Sequence, residues 1–376
     1  MPPTYRFMGF NSFVEYSGKL YAALADRFGF LATPQNFQDN VLIYDLTTGW
    51  DLQHRFDPTI NYKKVSAITL QVLGGNLYTI LYYTPYGVST FAVEMWVYNG
   101  VSWSFSQTLN LTIRLNGSSI TYGGNIYYST KRVGVIDDNQ YIDTSNGTNW
   151  VNSYTIPKDH FLNAFPLFAT YGGNLYYSYS SSIYVFNGVS WSLSNTFVGV
   201  DTENDINGIY GLTEYNGFLY ALMTTGFTFD SGGPEGFAVL MTREVWKFNG
   251  ATWSMDSTIP ITSFTNDPSY NTDPCSDIHA AQLVKVDPSR LVAILYSQYN
   301  SHIDVFEYNL LLQTWSETST DTTFGSPADS VSPSGYYYND IGDSLVYSAN
   351  GLLYLVLLLF TSSPYCDVWT FPTSDA

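Results

Sequence analysis

The stretch Tyr171–Ser192, YGGNLYYSYSSSIYVFNGVSWS, decides the fold. It sets a Gly-Gly pair, a Leu/Tyr run, a β-branched and aromatic run, an Asn-Gly and a tryptophan in fixed order. The same order stands upstream as LGGNLYTILYY (Leu73–Tyr83) and MWVYNGVSWS (Met95–Ser104). It returns downstream as YNGFLYALM (Tyr215–Met223) and VWKFNGATWS (Val245–Ser254). Alternating aromatic and β-branched residues suit pleated, half-buried strands. Asn-Gly and Gly-Gly between such runs suit two-residue hairpins whose twist matches that of the strands. Each unit therefore reads as a four-stranded antiparallel meander.

The repeat runs through the whole chain. Its tryptophans are Trp50, Trp103, Trp150, Trp191, Trp253 and Trp315, spaced 53, 47, 41, 62 and 62 apart. Its first hairpins are marked by Gly18, Gly75, Gly124, Gly173, Gly217, Ser289 and Gly351. Seven hairpins against six tryptophans leave the last unit one strand short, and the segment PPTYRFM precedes the first complete unit without a partner. The expectation is an all-β chain forming a single seven-bladed β-propeller domain over residues 1–376, with the N-terminal strand completing the last blade. Approximate blades are 9–57, 65–109, 117–156, 165–197, 208–258, 280–318 and 342–371 plus 3–8.

The Gly-Gly pairs (Gly74–Gly75, Gly123–Gly124, Gly172–Gly173) and the Tyr or Phe five residues before tryptophan (Tyr98/Trp103, Phe186/Trp191, Phe248/Trp253) resemble the kelch and galactose-oxidase-like class of propellers. In kelch repeats the double glycine follows the second strand; here it precedes it. The resemblance implies a binding platform more often than an enzyme.

Composition narrows the partners. Charged residues make up 12% of the 376 and aromatics 18%, with 33 tyrosines, so Ser, Thr, Asn and Tyr hydroxyls do much of the solubilising. The net charge of −18, with 14 Lys and Arg, argues against nucleic acid and anionic membrane as partners. The acid reads as spread along the chain rather than gathered in a tail. MPPTYRFMGFNSF lacks the basic and apolar regions of a signal peptide. GLLYLVLLLF (Gly351–Phe360) is too short for a membrane helix and reads as a doubly buried strand.

The turns within each unit fall into two groups. First-to-second and third-to-fourth turns are uniformly short. The other connections are long: Asp26–Asp39, Tyr83–Val93, Lys131–Asn139, Thr224–Thr242, Ser257–His279 and Thr318–Asp340. A ligand site belongs on this second face, because loops held by a scaffold carry function. Its candidate contact residues are Tyr86, Phe227, Phe229, Asp230, Asp267 and Tyr270, where an aromatic ring suits a sugar face. In VDTENDINGIYGLTE (Val200–Glu214), Asp201, Glu203, Asp205 and Asn207 are candidate calcium ligands. Glu214 lies too far along an extended strand to complete an EF-hand-like loop, and a solvated acidic loop is the other reading. Cys275 and Cys366 map to adjacent blades on one face, as a disulfide or as two inert thiols.

Catalytic signatures are sparse. The four histidines sit in different units and no nucleophile elbow is present. The hairpins with G-x-[ST]-W resemble the end of the sialidase Asp-box, but Tyr98, Ser145, Phe186 and Phe248 stand where that box has Asp. No arginine cluster for a carboxylate substrate can be picked out. Sequons occur at Asn110, Asn116 and Asn146. The sequence thus favours a non-enzymatic recognition or structural propeller on a virion or cell surface. It would bind a glycan, a protein partner or further subunits, with no cofactor beyond calcium. Two alternatives stand beside it: a polysaccharide-acting hydrolase or lyase, and an intracellular kelch-like adaptor.

Overall fold

The computed structural model describes residues 5–7, 13–26, 40–45, 51–56, 62–85, 92–109, 113–132, 139–157, 166–197, 208–230, 237–259, 280–297, 302–321, 340–349, 352–360 and 365–372. They form seven antiparallel sheets. The first contains β1 (Tyr5–Phe7), β2 (Phe13–Tyr16), β3 (Lys19–Asp26), β4 (Asn40–Asp45) and β5 (Asp51–Phe56). The second is β6 (Tyr62–Leu73), β7 (Asn76–Pro85), β8 (Ala92–Tyr98) and β9 (Trp103–Leu109). The third is β10 (Ile113–Tyr122), β11 (Asn125–Arg132), β12 (Gln140–Ser145) and β13 (Trp150–Ile156). The fourth is β14 (Leu167–Tyr171), β15 (Asn174–Tyr179), β16 (Ser182–Phe186) and β17 (Trp191–Thr196). The fifth is β18 (Gly208–Tyr215), β19 (Phe218–Asp230), β20 (Phe237–Phe248) and β21 (Trp253–Thr258). The sixth is β22 (Ala280–Asp287), β23 (Arg290–Ser297), β24 (His302–Asn309) and β25 (Thr314–Asp321). The last is β26 (Asp340–Ala349), β27 (Leu352–Phe360) and β28 (Tyr365–Pro372).

The chain divides into two compact units, Met1–Asp159 with Ser362–Asp367, and His160–Thr361 with Val368–Ala376. In the first unit, β6 lies beside β2 and β3 on one side and β10 on the other. In the second, β14, β18, β22 and β26 lie side by side. First strands approach most closely while outer strands meet less, so the sheets of each unit fan outward from their first strands.

The Gly-Gly pairs build the first hairpins. Both central residues take positive φ, as in Gly172 (+55°) and Gly173 (+78°), or Asn216 (+46°) and Gly217 (+77°). That is the type I′ geometry, which glycine enters without steric cost. In the sixth sheet the loop carries Pro288, whose φ is fixed near about −65°. There the ladder shifts register between Lys285 and Asp287 instead.

At three places a tyrosine flanking one of these hairpins joins a sheet to the next. Tyr16 Oη donates to the Gly75 carbonyl at 2.9 Å, Tyr171 to Gly217 at 3.0 Å and Tyr215 to Ser289 at 2.6 Å. The rings form repeated triads: Tyr16, Tyr21 and Tyr98; Tyr171, Tyr176 and Phe248; Tyr215, Tyr220 and Tyr308. Centroids in these triads lie about 6 Å apart, within the range of favourable edge and tilted contacts. Two repeat tryptophans stack on their cross-strand partners, Trp103 on Tyr98 at 5.3 Å and Trp253 on Phe248 at 5.1 Å. Where the third sheet has Ser145 opposite Trp150, Tyr128 takes over the stack at 4.7 Å.

One expectation is corrected. The N-terminal strand does not complete the last sheet: Tyr5–Phe7 pairs with Leu24–Asp26 of β3. β2 is short and covers only half of β3, since Phe13 faces Ala22, and the edge beyond it satisfies its backbone groups with β1. The last sheet has three strands among the described residues. A second correction concerns Thr224–Thr242, which is no irregular loop. β19 and β20 continue as a paired ribbon from Thr224–Arg243 to Asp230–Phe237.

Candidate functional site

A bulge recurs three residues after each repeat tryptophan. The third and fourth strands shift register at Ile43/Tyr44, Met95/Trp96, Ile142/Asp143, Ile183/Tyr184, Val245/Trp246 and Val305/Phe306. The extra residues are Gln53, Ser106, Ser153, Ser194, Asp256 and Thr318. A bulge re-aims a side chain and breaks a free sheet edge. Here it turns polar groups toward the following sheet. Ser194 Oγ accepts from Trp253 Nε1 at 3.3 Å, and Ser106 Oγ donates to the Gly147 carbonyl at 3.4 Å. These bulged residues are thus taken up in contacts between neighbouring sheets.

At strand ends leading into the long connections of the first unit stands a polar network built on the third sheet. Asp143 occupies the bulge position held by Trp96, Tyr184 or Trp246 elsewhere, and its side chain is 0% exposed. Arg132 grips it with Nη1 at 2.7 Å and Nη2 at 2.9 Å; Thr130 Oγ1 adds a bond at 2.7 Å and Asn152 Nδ2 one at 3.1 Å. The guanidinium also lies 4.3 Å over the Tyr141 ring. Beside it Gln140 Nε2 donates to Ser129 Oγ and the Thr130 carbonyl, both at 2.8 Å. The same strand ends place Arg114 of β10 directly opposite Lys131 of β11, and Ile113 opposite Arg132.

The second unit handles its cations differently. Lys247 pairs with Asp256 at 2.6 Å, Lys285 with Glu214 at 3.0 Å and Arg290 with Glu307 at 2.9 Å, while Arg243 is 1% exposed. Tyr308 Oη donates to Asp256 Oδ2 at 2.5 Å. Burial, then the bond to Asp256, pushes the Tyr308 hydroxyl far above the usual phenol range. Burial, then the Asp256 charge, pushes Tyr220 up to about 12. These phenols stay protonated at neutral pH, and Tyr308 serves as the donor to Asp256.

Charge divides along the same line. Of the 14 Lys and Arg, ten lie in the first unit and four in the second; of the 32 Asp and Glu, 12 and 20. The first unit is therefore at −2 and the second at −16. The acid is not in a tail, but it is one-sided.

Of the residues singled out in the sequence, Phe227, Phe229 and Asp230 lie on the β19 ribbon, opposite Leu240, Ala238 and Phe237. Tyr86, Asp267 and Tyr270 lie outside the described residues, as do Asp201, Glu203, Asp205, Asn207 and Cys275. Glu214 is a strand residue held by Lys285 and by the Gly217 amide at 3.1 Å. Cys366 is the second residue of β28 rather than part of a preceding loop. Among the described residues no group of three or more His, Cys, Asp or Glu could hold a metal ion, and no helix is long and apolar enough to cross a membrane. The Asp143 network and the Arg114–Lys131 pairing were missed in the sequence. The available signal was the third strand QYIDTS, polar where the third strands of other units, such as SIYVF, are mostly apolar.

No family model matches the sequence, and no curated protein does. Among solved structures the chain is similar to the polysaccharide lyase Uly1, at 10% identity and TM-score 0.59, over 98% of this chain and 90% of that one. It is also similar to the β-propeller domain of the Trilobed protease from Pyrococcus furiosus (8% identity, TM-score 0.48, 97% and 96% covered). A third is the GH74 xyloglucanase from Xanthomonas campestris (16%, TM-score 0.48), of which the chain spans 55% while 97% of this chain is covered. The fold is of the β-propeller class; kelch membership in particular is not shown.

Proposed function

We propose that the chain is a seven-bladed propeller, closed into a ring, that takes a polysaccharide at its long-connection face and cleaves it as a lyase or hydrolase. The observation that carries this reading is the whole-length correspondence with a polysaccharide lyase, which spans 98% of this chain and 90% of that one. The correspondence is one of fold, and chemistry is grafted onto folds by their sites. Fixed strand ends with buried, fully bonded carboxylates suit such grafting, because they hold connecting segments in place without consuming the surface. The sequence-based preference for a non-enzymatic module gives way to this alternative.

A second reading, a recognition or structural module at a virion or cell surface, is favoured by exposed apolar hairpin tips. Val189 is 88% and Leu311 94% exposed, with Val101 and Leu312 similar. Phe105, Leu193 and Met255 extend the exposure along outer strands. Such residues mark contact surfaces when they are contiguous.

The test is incubation of purified protein with a panel of acidic and neutral polysaccharides. Unsaturated ends, seen by ultraviolet absorbance, identify a lyase; new reducing ends without unsaturation identify a hydrolase. Saturable binding with neither product supports the recognition reading and overturns catalysis.

A further inference from the structure

We propose that Lys247 and Asp256 condense into an isopeptide bond, a covalent link between the side chains of β20 and β21 in the fifth sheet. The proposal is independent of the polysaccharide reading above. It rests on a pairing that the other bulged sheets lack.

Asp256 is the extra residue of the fifth sheet's bulge, where the ladder passes from Val245–Ser257 to Trp246–Met255. Lys247 follows on β20, opposite Ser254. At the position of Lys247 the other bulged sheets carry Asp45, Val97, Thr144, Val185 and Glu307, so none of them offers an amine there. Lys247 Nζ lies 2.6 Å from Asp256 Oδ1. That oxygen accepts no hydrogen bond, so the approach is close without the alignment of an ordinary charged pair. The carboxyl group is 0% exposed, while the lysine side chain keeps 23% of its surface. The other oxygen, Oδ2, accepts from Tyr308 Oη at 2.5 Å and from Ser257 Oγ at 3.1 Å. Ser257 is itself fixed by Trp315 Nε1 at 3.0 Å, and the Phe218 ring lies 5.6 Å from Nζ. The pair Lys285–Glu214 is the contrast. It is an aligned hydrogen bond at 3.0 Å, open to water on both sides, and it is expected to stay an ion pair.

Two physical effects favour the link. Charges taken out of water are costly, and an amide removes both of them at once. Groups held in contact also react as if at effective concentrations of about 10⁵ M or more, which offsets the tendency of water to hydrolyse an amide. The reaction is a condensation. A proton passes from the Nζ ammonium to the carboxylate, and the freed lone pair attacks Asp256 Cγ to form the C–N bond. The Cγ–Oδ2 bond then breaks, and Oδ2 leaves as water with two of the three Nζ protons. Tyr308 Oη donates to Oδ2 throughout, stabilising the charge that develops there and relaying a proton to the leaving oxygen. Ammonium plus carboxylate gives amide plus water, so atoms and charge balance and no further reactant enters. The product pins β21, the outer strand of its sheet, to β20 by a bond that fraying cannot open.

The experiment is mass spectrometry of the purified full chain after tryptic digestion. Cleavage is expected to fail after Lys247, giving one peptide, Glu244–Lys285, lighter than its sequence by one water and without fragments between positions 247 and 256. Lys247→Arg keeps the positive charge beside Asp256 but cannot form the link, and should restore the full mass. Tyr308→Phe is expected to leave most of the chain unlinked, with its β-sheet circular dichroism unchanged. Cleavage after Lys247 with both peptides at their sequence masses overturns the proposal. So does a water loss that persists in Lys247→Arg, because it marks a cyclised aspartate. Complete linkage in Tyr308→Phe overturns the catalytic part given to Tyr308.

Discussion

The hydroxyl of Tyr215 donates to the carbonyl of Ser289 across 2.6 Å, tying the end of β18 to the first hairpin of the sheet that follows. Tyr16 and Tyr171 make the same bond to Gly75 and Gly217. This bond, made at three sheet junctions, turns a sequence motif into an architecture. Tyr215→Phe keeps the ring and deletes only the hydrogen bond, so it is expected to cost about 1 kcal/mol. Tyr215→Ala also removes a buried ring from its triad with Tyr220 and Tyr308, at about 3–5 kcal/mol. Urea unfolding of the two variants checks the separation; equal losses would show that the ring alone matters.

Asp143 is the buried centre of four donors, and removing it strands them. Asp143→Ala should destabilise by about 3–5 kcal/mol, because Arg132 loses its partner while half-buried. Replacing both ends of the pair, Arg132→Met with Asp143→Leu, is expected to recover much of that loss. A double-mutant cycle in denaturant gives the answer, and a double variant no better than Asp143→Ala would refute the explanation.

Alkaline pH should unfold the protein through its buried phenols. Tyr220 is raised from 10.0 to about 12 in the folded state, and Tyr308 is raised as well. Between about pH 10 and 12 the unfolded chain releases these protons while the folded chain keeps them, so stability falls as pH rises. Below that window the contribution is fully present. Stability measured across it should decline steeply in the natural protein and less steeply in Tyr220→Phe.

Gly211 of β18 packs directly against Leu283 of the next sheet. A Cβ there would meet the Leu283 side chain and lie 2.7 Å from the Leu283 backbone nitrogen. Gly211→Ala is expected to lower stability by about 1–3 kcal/mol through overpacking. Trimming the neighbour, Leu283→Ala, should not rescue it, since the obstruction includes backbone. Thermal unfolding of the single and double variants tests this, and a full rescue would sink the backbone argument.

The sequence by itself determined the repeating meander. Gly-Gly at Gly172–Gly173 can only mark a turn needing positive φ at two successive residues, and Trp191 behind an Asn-Gly opens a fourth strand. Those signals are local, because a turn and the alternation beside it depend on neighbours in the chain. What lay between strands distant in sequence was decided by tertiary structure alone. Tyr5–Phe7 went to β3 because a free edge beyond β2 needed hydrogen bonds there. Arg114 meets Lys131 only because the β10–β11 ladder shifts register between Leu115 and Ser119. Side chains alternate with a period of two, so a shift of register re-pairs every residue beyond it. The sequence lists Arg132 and Asp143 without saying that they meet, and the candidate site is built on that pair.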